Sequence, residues 1–495
     1  MKRFGTAADQ SDRCICRGTI TVFLTLSLTV ITSLISACIS SAVDRSMRER
    51  IETSMDLALL SVFGEYNKKL LEEFDLYFID CGYGSENGSS YYTGEHLRDY
   101  LDYNLNPQKG LVLSFSRDMK KLKVTDVNIA MESLATDSDG RVFKRQAITY
   151  IKDKYGVSVI ENLKKNEKDY KQYGIEEFDA EKARKKAEKK LKKAENLKDE
   201  DGNKIKFKSP VKVIEKTRST ALESLLGELD ISGKALDGVE LVSDRELKTG
   251  CGIVANDENL DSLSSELLFI TYLNDKFSCY TAPKNREGLS YEIEYVLCGK
   301  DSDKENLEET VAKIFVAREA ANCIYAKDNE KMKTEAEAVA KVTAALLDCK
   351  DLEEPLKETI LYAWAFAESC IDVHTLLKGG RVPLVKDETT WTLKTLPQAL
   401  AYKTHFDDAP KDVFGLDYKN YLMLFLTLEG NNKKMSRSMD MIECDMRCIN
   451  GNENFRMDNC IEFLEATAVI KGGKRDHYDI SRYFGYMKVP RRNFN

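Results

Sequence analysis

The sequence predicts a helix-rich α+β protein: a long N-terminal transmembrane and amphipathic helix, then a mixed extracytoplasmic body with antiparallel strands. Three observations predict it. Gly18 to Val43 is a run of 26 residues without one charged side chain, set between a basic leader (Lys2, Arg3, Arg13, Arg17) and the charged pair Asp44-Arg45. Proline is scarce, 8 in 495 residues, while Ala, Glu, Lys and Leu are abundant, which favours helix in the body. Short alternating stretches bounded by glycine supply the strands.

The leader is residues 1–17 and the span 18–43. As helix the span measures roughly 39 Å, and about 20 residues already cross the roughly 30 Å hydrocarbon core. Its ten Ser and Thr residues can bond their own helix backbone, which keeps spanning feasible. Three processing states fit: a retained anchor with the leader in the cytoplasm, a cleaved secretory signal, or a lipoprotein lipidated at Cys38 within Ile35-Ser36-Ala37-Cys38. Residues 44–80 continue as a membrane-proximal amphipathic helix. Met47, Ile51, Met55, Ala58 and Val62 recur at three- and four-residue steps, with Arg48, Glu49, Glu52 and Asp56 between them.

A leader ending in Arg17-Gly18, an apolar half-helix and an amphipathic half resemble type IV pilin-like proteins, and Arg-Gly-Thr-Ile-Thr-Val-Phe resembles the start of TadE/TadG-like pseudopilins. The resemblance implies processing between Gly18 and Thr19. It also implies a glutamate five residues after the glycine, where this chain has Phe23. Asp56 to Asn67, Phe74 to Phe78, Tyr295 to Lys300, Trp364 to Ser369 and Gly379 to Leu384 are similar to a family of Gram-positive membrane proteins carrying a domain of unknown function. Their genes accompany Tad-type pilus or secretion genes. The implied partners are the lipid bilayer and, through the N-terminal helix, other membrane proteins of such a locus.

Residues 81–157 read as an α+β segment. A Gly/Ser loop at 82–90 precedes strands at 111–116 and 122–130, and Asp137-Ser138-Asp139-Gly140 turns the chain into a helix over 142–155. Ile148 stands where a calcium loop needs a bidentate Glu, so the Asp-rich stretch is a turn. Residues 158–217 form a charged helical arm or linker, projecting from the body. Between Lys182 and Lys198 nine Lys or Arg face only Glu188 and Glu195. Lys182, Arg184, Lys185, Lys186, Lys189, Lys190, Lys192 and Lys193 are candidate contacts for a polyanion such as a wall polymer or anionic headgroups. The run lacks stacking aromatics, and with a net charge of −8 nothing points to nucleic acid.

Residues 218–495 read as a C-terminal α+β domain. Leu289 to Leu297 alternates apolar and polar residues and predicts a half-buried strand ended by Gly299. Ser302 opens a helix with Glu305 three residues on. Further helices follow over 331–347, 355–378 and 418–428. Residues 455–470 and 478–489, joined through Gly472-Gly473, predict a closing hairpin.

No phosphate loop, dinucleotide fingerprint or His-Glu-x-x-His occurs, and the four histidines lie far apart. No catalytic, cofactor or metal residue is assigned, and the expected protein is not an enzyme. The nearest approach to chemistry is Glu368, Asp372 and His374. The two carboxylates share a helix face expected to be solvated, and His374 points about 200° round from Asp372. Trp364 and Trp391 are expected in the core, and most of the 13 cysteines as buried thiols.

Overall fold

A computed structural model describes residues 11–85, 88–106, 122–194, 220–250 except 222, 228 and 237, 258–410 except 348, and 413–487 except 473–474. Among them the order is α1 (Ser11–Phe63), α2 (Lys68–Phe74), β1 (Ile79–Asp80), α3 (Ser90–Leu105), β2 (Lys123–Leu134), α4 (Asp137–Tyr155), α5 (Glu161–Gln172) and α6 (Ala180–Ala194). Then come α7 (Leu263–Lys276), α8 (Glu292–Cys298), α9 (Asp303–Asp328), α10 (Glu330–Leu346) and α11 (Glu353–Leu377). The chain ends with α12 (Leu396–Leu400), α13 (Tyr418–Leu428), α14 (Asn431–Arg447), β3 (Cys460–Gly472) and β4 (Arg475–Gly485). The fold is helix-rich α+β, as the composition predicts. The strand expected at 111–116 lies outside the described residues.

Two compact units result, and they interleave along the chain rather than following one another. The first takes Met1–Tyr66, Asn87–Glu132 and Ile461–Asn495; the second takes Asn67–Glu86 and Ser133–Cys460.

In the first unit the predicted closing hairpin is present. β3 and β4 pair antiparallel from Phe463 opposite Gly485 to Ile470 opposite Tyr478, and β3 also bonds β2. Ile51, Met55, Ala58, Leu59 and Val62 of α1 are buried, and so are Leu97, Leu101 and Leu105 of α3. β4 runs beside α1 in the same direction. Tyr478 donates its hydroxyl to Asp44 at 3.1 Å, Arg482 pairs with Glu52 at 2.7 Å and Asp56 at 3.2 Å, and the Tyr486 hydroxyl reaches the Phe63 carbonyl at 2.6 Å.

The second unit is helical and holds a large aromatic core, with Phe143, Phe269 and Tyr272 in mutual contact. Ser138, Asp139 and Gly140 take φ of 53°, 58° and 80°, so the Asp-x-Asp-Gly stretch is the expected turn. Asp137 secures it by accepting N–H bonds from Leu134 at 2.9 Å and Gly250 at 2.7 Å. Ser302 caps α9 by accepting the Glu305 N–H. Gly379, at φ 81°, stops α11 in the left-handed conformation that glycine adopts without strain.

Two expected elements are corrected. The helix expected to continue over residues 44–80 stops at Phe63, and a turn, α2 and β1 take up the rest. Residues 289–297 are not a strand: α8 occupies Glu292–Cys298, and every one of its residues is buried. The alternation is produced by Glu292 and Glu294, which face partners inside the unit rather than water. Glu292 meets Arg286 at 2.9 Å, and Glu294 accepts the Tyr280 N–H and the Tyr418 hydroxyl, both at 2.9 Å.

Candidate functional site

α1 is the first candidate. It passes through Gly18 and Thr19 without a break, so the junction read as a processing point lies inside a helix. Its stretch from Thr19 onward holds a window of mean hydropathy 2.2 that is 0% buried, long and apolar enough to cross a membrane. Phe23 is 70% exposed, and Ile20, Leu24, Leu28, Ile31, Leu34 and Ile35 are likewise open. Cys38 sits exposed in mid-helix. Four of the hydroxyls bond the helix's own carbonyls, which eases their burial in lipid: Thr25 bonds that of Thr21 at 3.0 Å, Thr29 that of Leu26 at 2.7 Å, Thr32 that of Leu28 at 2.8 Å and Ser33 that of Val30 at 2.8 Å.

α6 carries the candidate polyanion residues. It does not project: Ala180, Arg184, Ala187 and Leu191 form a buried stripe, and Leu191 packs among Ala340, Ala344, Leu352 and Leu356. The interleaved alanines and Leu191, read as features of an exposed arm, are this packed face. Arg184 therefore leaves the candidate surface: it is 2% exposed and pairs with buried Glu319 at 2.8 Å. Lys182, Lys185, Lys186, Lys189 and Lys190 remain exposed, with Lys185 paired to Glu181 and Lys190 to Glu358. The side chains of Lys192 and Lys193 and all of Lys198 lie outside the described residues.

α11 holds the third candidate, and here the expected solvated face is buried. Glu368 and Asp372 are at 0% and 1% exposure, because α9 and the segment after Gly380 cover them. Lys386 pairs with both carboxylates, and Arg318 of α9 meets Asp372 at 3.0 Å. Asn322 donates to Asp372 at 2.8 Å and to Ser369 at 3.0 Å, while Thr392 and Leu393 N–H groups bond Glu368 at 2.8 and 2.9 Å. Burial works to raise the Asp372 carboxyl, but Lys386 and Arg318 outweigh it and hold it below its ordinary range. Burial works against the Arg318 charge, and Tyr421 and Asp372 more than restore it. Two carboxylates and two cations, all buried, make a closed electrostatic knot.

His374 is separate from the knot, in line with its angle around the helix. It stacks on Phe406 at 4.6 Å and lines a cleft of about 670 Å³ with Lys378, Arg381, Asp407 and Phe414. Trp364 and Trp391 are buried, and both indole N–H groups bond the Leu393 carbonyl, at 2.8 and 2.9 Å. Cys279, Cys298, Cys323, Cys370 and Cys460 are buried thiols, whereas Cys448 is exposed. Among the described residues no group of three or more His, Cys, Asp or Glu could hold a metal ion.

Sequence reasoning missed Arg318, Asn322 and Lys386 as partners of the α11 carboxylates. A weak signal existed: Arg318 and Glu319 interrupt an otherwise apolar face between Ile314 and Ala321, where a charge must find an internal partner.

Residues 199–472, more than half of the chain, match the model of a family of unknown function, DUF5702. The chain belongs to this family. No curated protein and no solved structure matches it. The DUF5702 stretch contains Arg318, Glu368, Asp372 and Lys386, the α11 cleft and β3. α1 and α6 both precede it.

Proposed function

We propose that the chain is a non-enzymatic, single-pass membrane protein of the cell envelope, with the leader cytoplasmic and the body outside. In this reading it serves as a pilin-like or accessory component of a Tad or type IV pilus-like assembly. The observation that carries the reading is the division of α1: an exposed apolar half, then a half whose Ile51, Met55 and Val62 are fully buried in its own unit. Such a helix holds a folded body at the bilayer and offers its apolar half to other helices. Ser33, Ser36, Ala37, Ser40 and Ser41 would permit close helix approach. Phe23, where pilins carry glutamate, favours an accessory role over self-assembly through that charge.

Cysteines placed at Ser33 or Ser36, in a Cys38→Ser background, should crosslink to a helix of another protein from the same assembly. Recovery of the uncrosslinked monomer alone, from cells bearing the assembled structure, would count against the reading. The exposed lysine face of α6 favours a second role, retention on anionic wall polymers. Changing Lys182, Lys185, Lys186 and Lys189 to Gln should then abolish salt-sensitive wall retention, and unchanged retention would dismiss that role.

A further inference from the structure

We propose that the first unit rests on anionic lipid headgroups through a basic rim formed by Arg45 and Arg48 of α1, Lys123 of β2 and Lys471 of β3. The inference builds on the anchor reading and adds a second, electrostatic attachment to the same membrane.

The argument is one of levels along α1. Three contacts place β4 beside the helix: Tyr478 at Asp44, Arg482 at Glu52 and Asp56, and Tyr486 at Phe63. From Asp44 to Phe63 the helix advances about 28 Å, and from Tyr478 to Tyr486 a strand advances about 26 Å. The two run side by side without divergence. The strand starts at Arg475, about 10 Å before Tyr478, which is the level reached some six or seven helical residues before Asp44, near Cys38.

The apolar run independently marks the same level. Its roughly 39 Å exceeds the hydrocarbon core by about 9 Å, the rise of some six residues. With the core beginning at Gly18, next to the basic leader, Cys38 to Val43 pass through the headgroup layer. The end of β3 and the start of β4 therefore stand beside that layer. Lys471 ends β3 there, and the Thr125 hydroxyl on the Val469 carbonyl at 2.7 Å brings the start of β2, with Lys123, to the same end of the sheet. Both lysines are exposed.

The nearby acids do not neutralise the rim: exposed Asp126 of β2 lies three residues past Lys123, about 10 Å further from the bilayer. Asp44 is engaged by Tyr478. Glu49 pairs with Arg45 at 3.2 Å on an exposed face, and half-buried Glu52 divides its charge between Arg48 at 3.3 Å and Arg482 at 2.7 Å; pairs of this surface class are weak enough for the arginines to be shared with a phosphate. Asp479 is exposed one step further from the bilayer, near His477. Cations within a Debye length of an anionic leaflet strengthen attachment about fivefold each.

The test places the full chain in bilayers of phosphatidylcholine alone, or with roughly one third phosphatidylglycerol, and follows amide hydrogen exchange over residues 470–478. The expected result is several-fold slower exchange on the anionic bilayer, reversed by high salt and by Lys123→Glu with Lys471→Glu. Both substitutions are at exposed strand ends, and unchanged exchange over 51–62 verifies that the variant is folded. Equal exchange on both bilayers, with the chain firmly inserted, overturns this inference while leaving the anchor intact. Failure of the chain to insert overturns the anchor reading itself.

Discussion

Removing one member of a buried ion pair leaves its partner desolvated and uncompensated, which costs about 3–5 kcal/mol. Lys386 compensates both Glu368 and Asp372, so Lys386→Met should destabilise the body by about that much in urea unfolding. Adding Glu368→Gln should recover part of the loss, and a double variant no better than the single would refute the assignment. Glu294 makes a different prediction. Burial pushes its carboxyl up to about 7 from an ordinary 4.5, against the pull of the Tyr280 N–H and the Tyr418 hydroxyl. The folded state thus holds a proton that the unfolded chain releases. The stabilisation is complete below about 4.5 and is lost as pH rises through about 7, at up to about 1.4 kcal/mol per pH unit. Asp440, raised to about 6 by burial, acts in the same sense, while Asp372 and Asp458 act oppositely. The clean measurement is therefore a difference: Glu294→Gln should gain stability relative to wild type between pH 5 and 8. A difference that does not change with pH would contradict the buried, protonated state.

α1 and α6 show how the same charge has different consequences on different helix faces. A charge at Leu28 would sit in the middle of the apolar half, where central charges oppose insertion by about 2.5–3.5 kcal/mol. Leu28→Arg should shift much of the protein out of the alkali-resistant membrane fraction, whereas Arg45→Lys should not. In α6, Leu191→Ala should cost about 2–5 kcal/mol, because Leu191 fills the space between α10 and α11. Lys186→Gln should stay within about 0.5 kcal/mol. Equal effects would contradict the packed orientation of α6. These elements also define what the sequence makes legible. The bounds of α10, α11 and α13 follow from periodicity, Pro355 and the glycine stop, and the β3–β4 hairpin follows from its alternation around Gly472-Gly473. α8 defeats the same reasoning, since buried glutamates imitate the polar half of a strand. Arg184 defeats it in reverse, as a buried cation hidden in a run of exposed ones.

At the scale of the molecule, the sequence conveys the long apolar N-terminal helix and the fold class but not the interleaving of the two units. The last strands return to α1, and Tyr478 meets Asp44 across most of the chain without any local pattern that announces it. The knot around Glu368 and Asp372 is illegible for the same reason: α9, α11 and the segment carrying Lys386 meet only in the folded unit. The DUF5702 stretch takes in the α9–α11 core and stops short of α1, so the envelope role proposed here depends on α1 being a membrane helix. Alkaline carbonate extraction of membranes from cells making the full chain tests that most directly. The account predicts that the protein stays in the pellet while a form lacking residues 1–43 is released. Recovery of the full chain in the supernatant would contradict it.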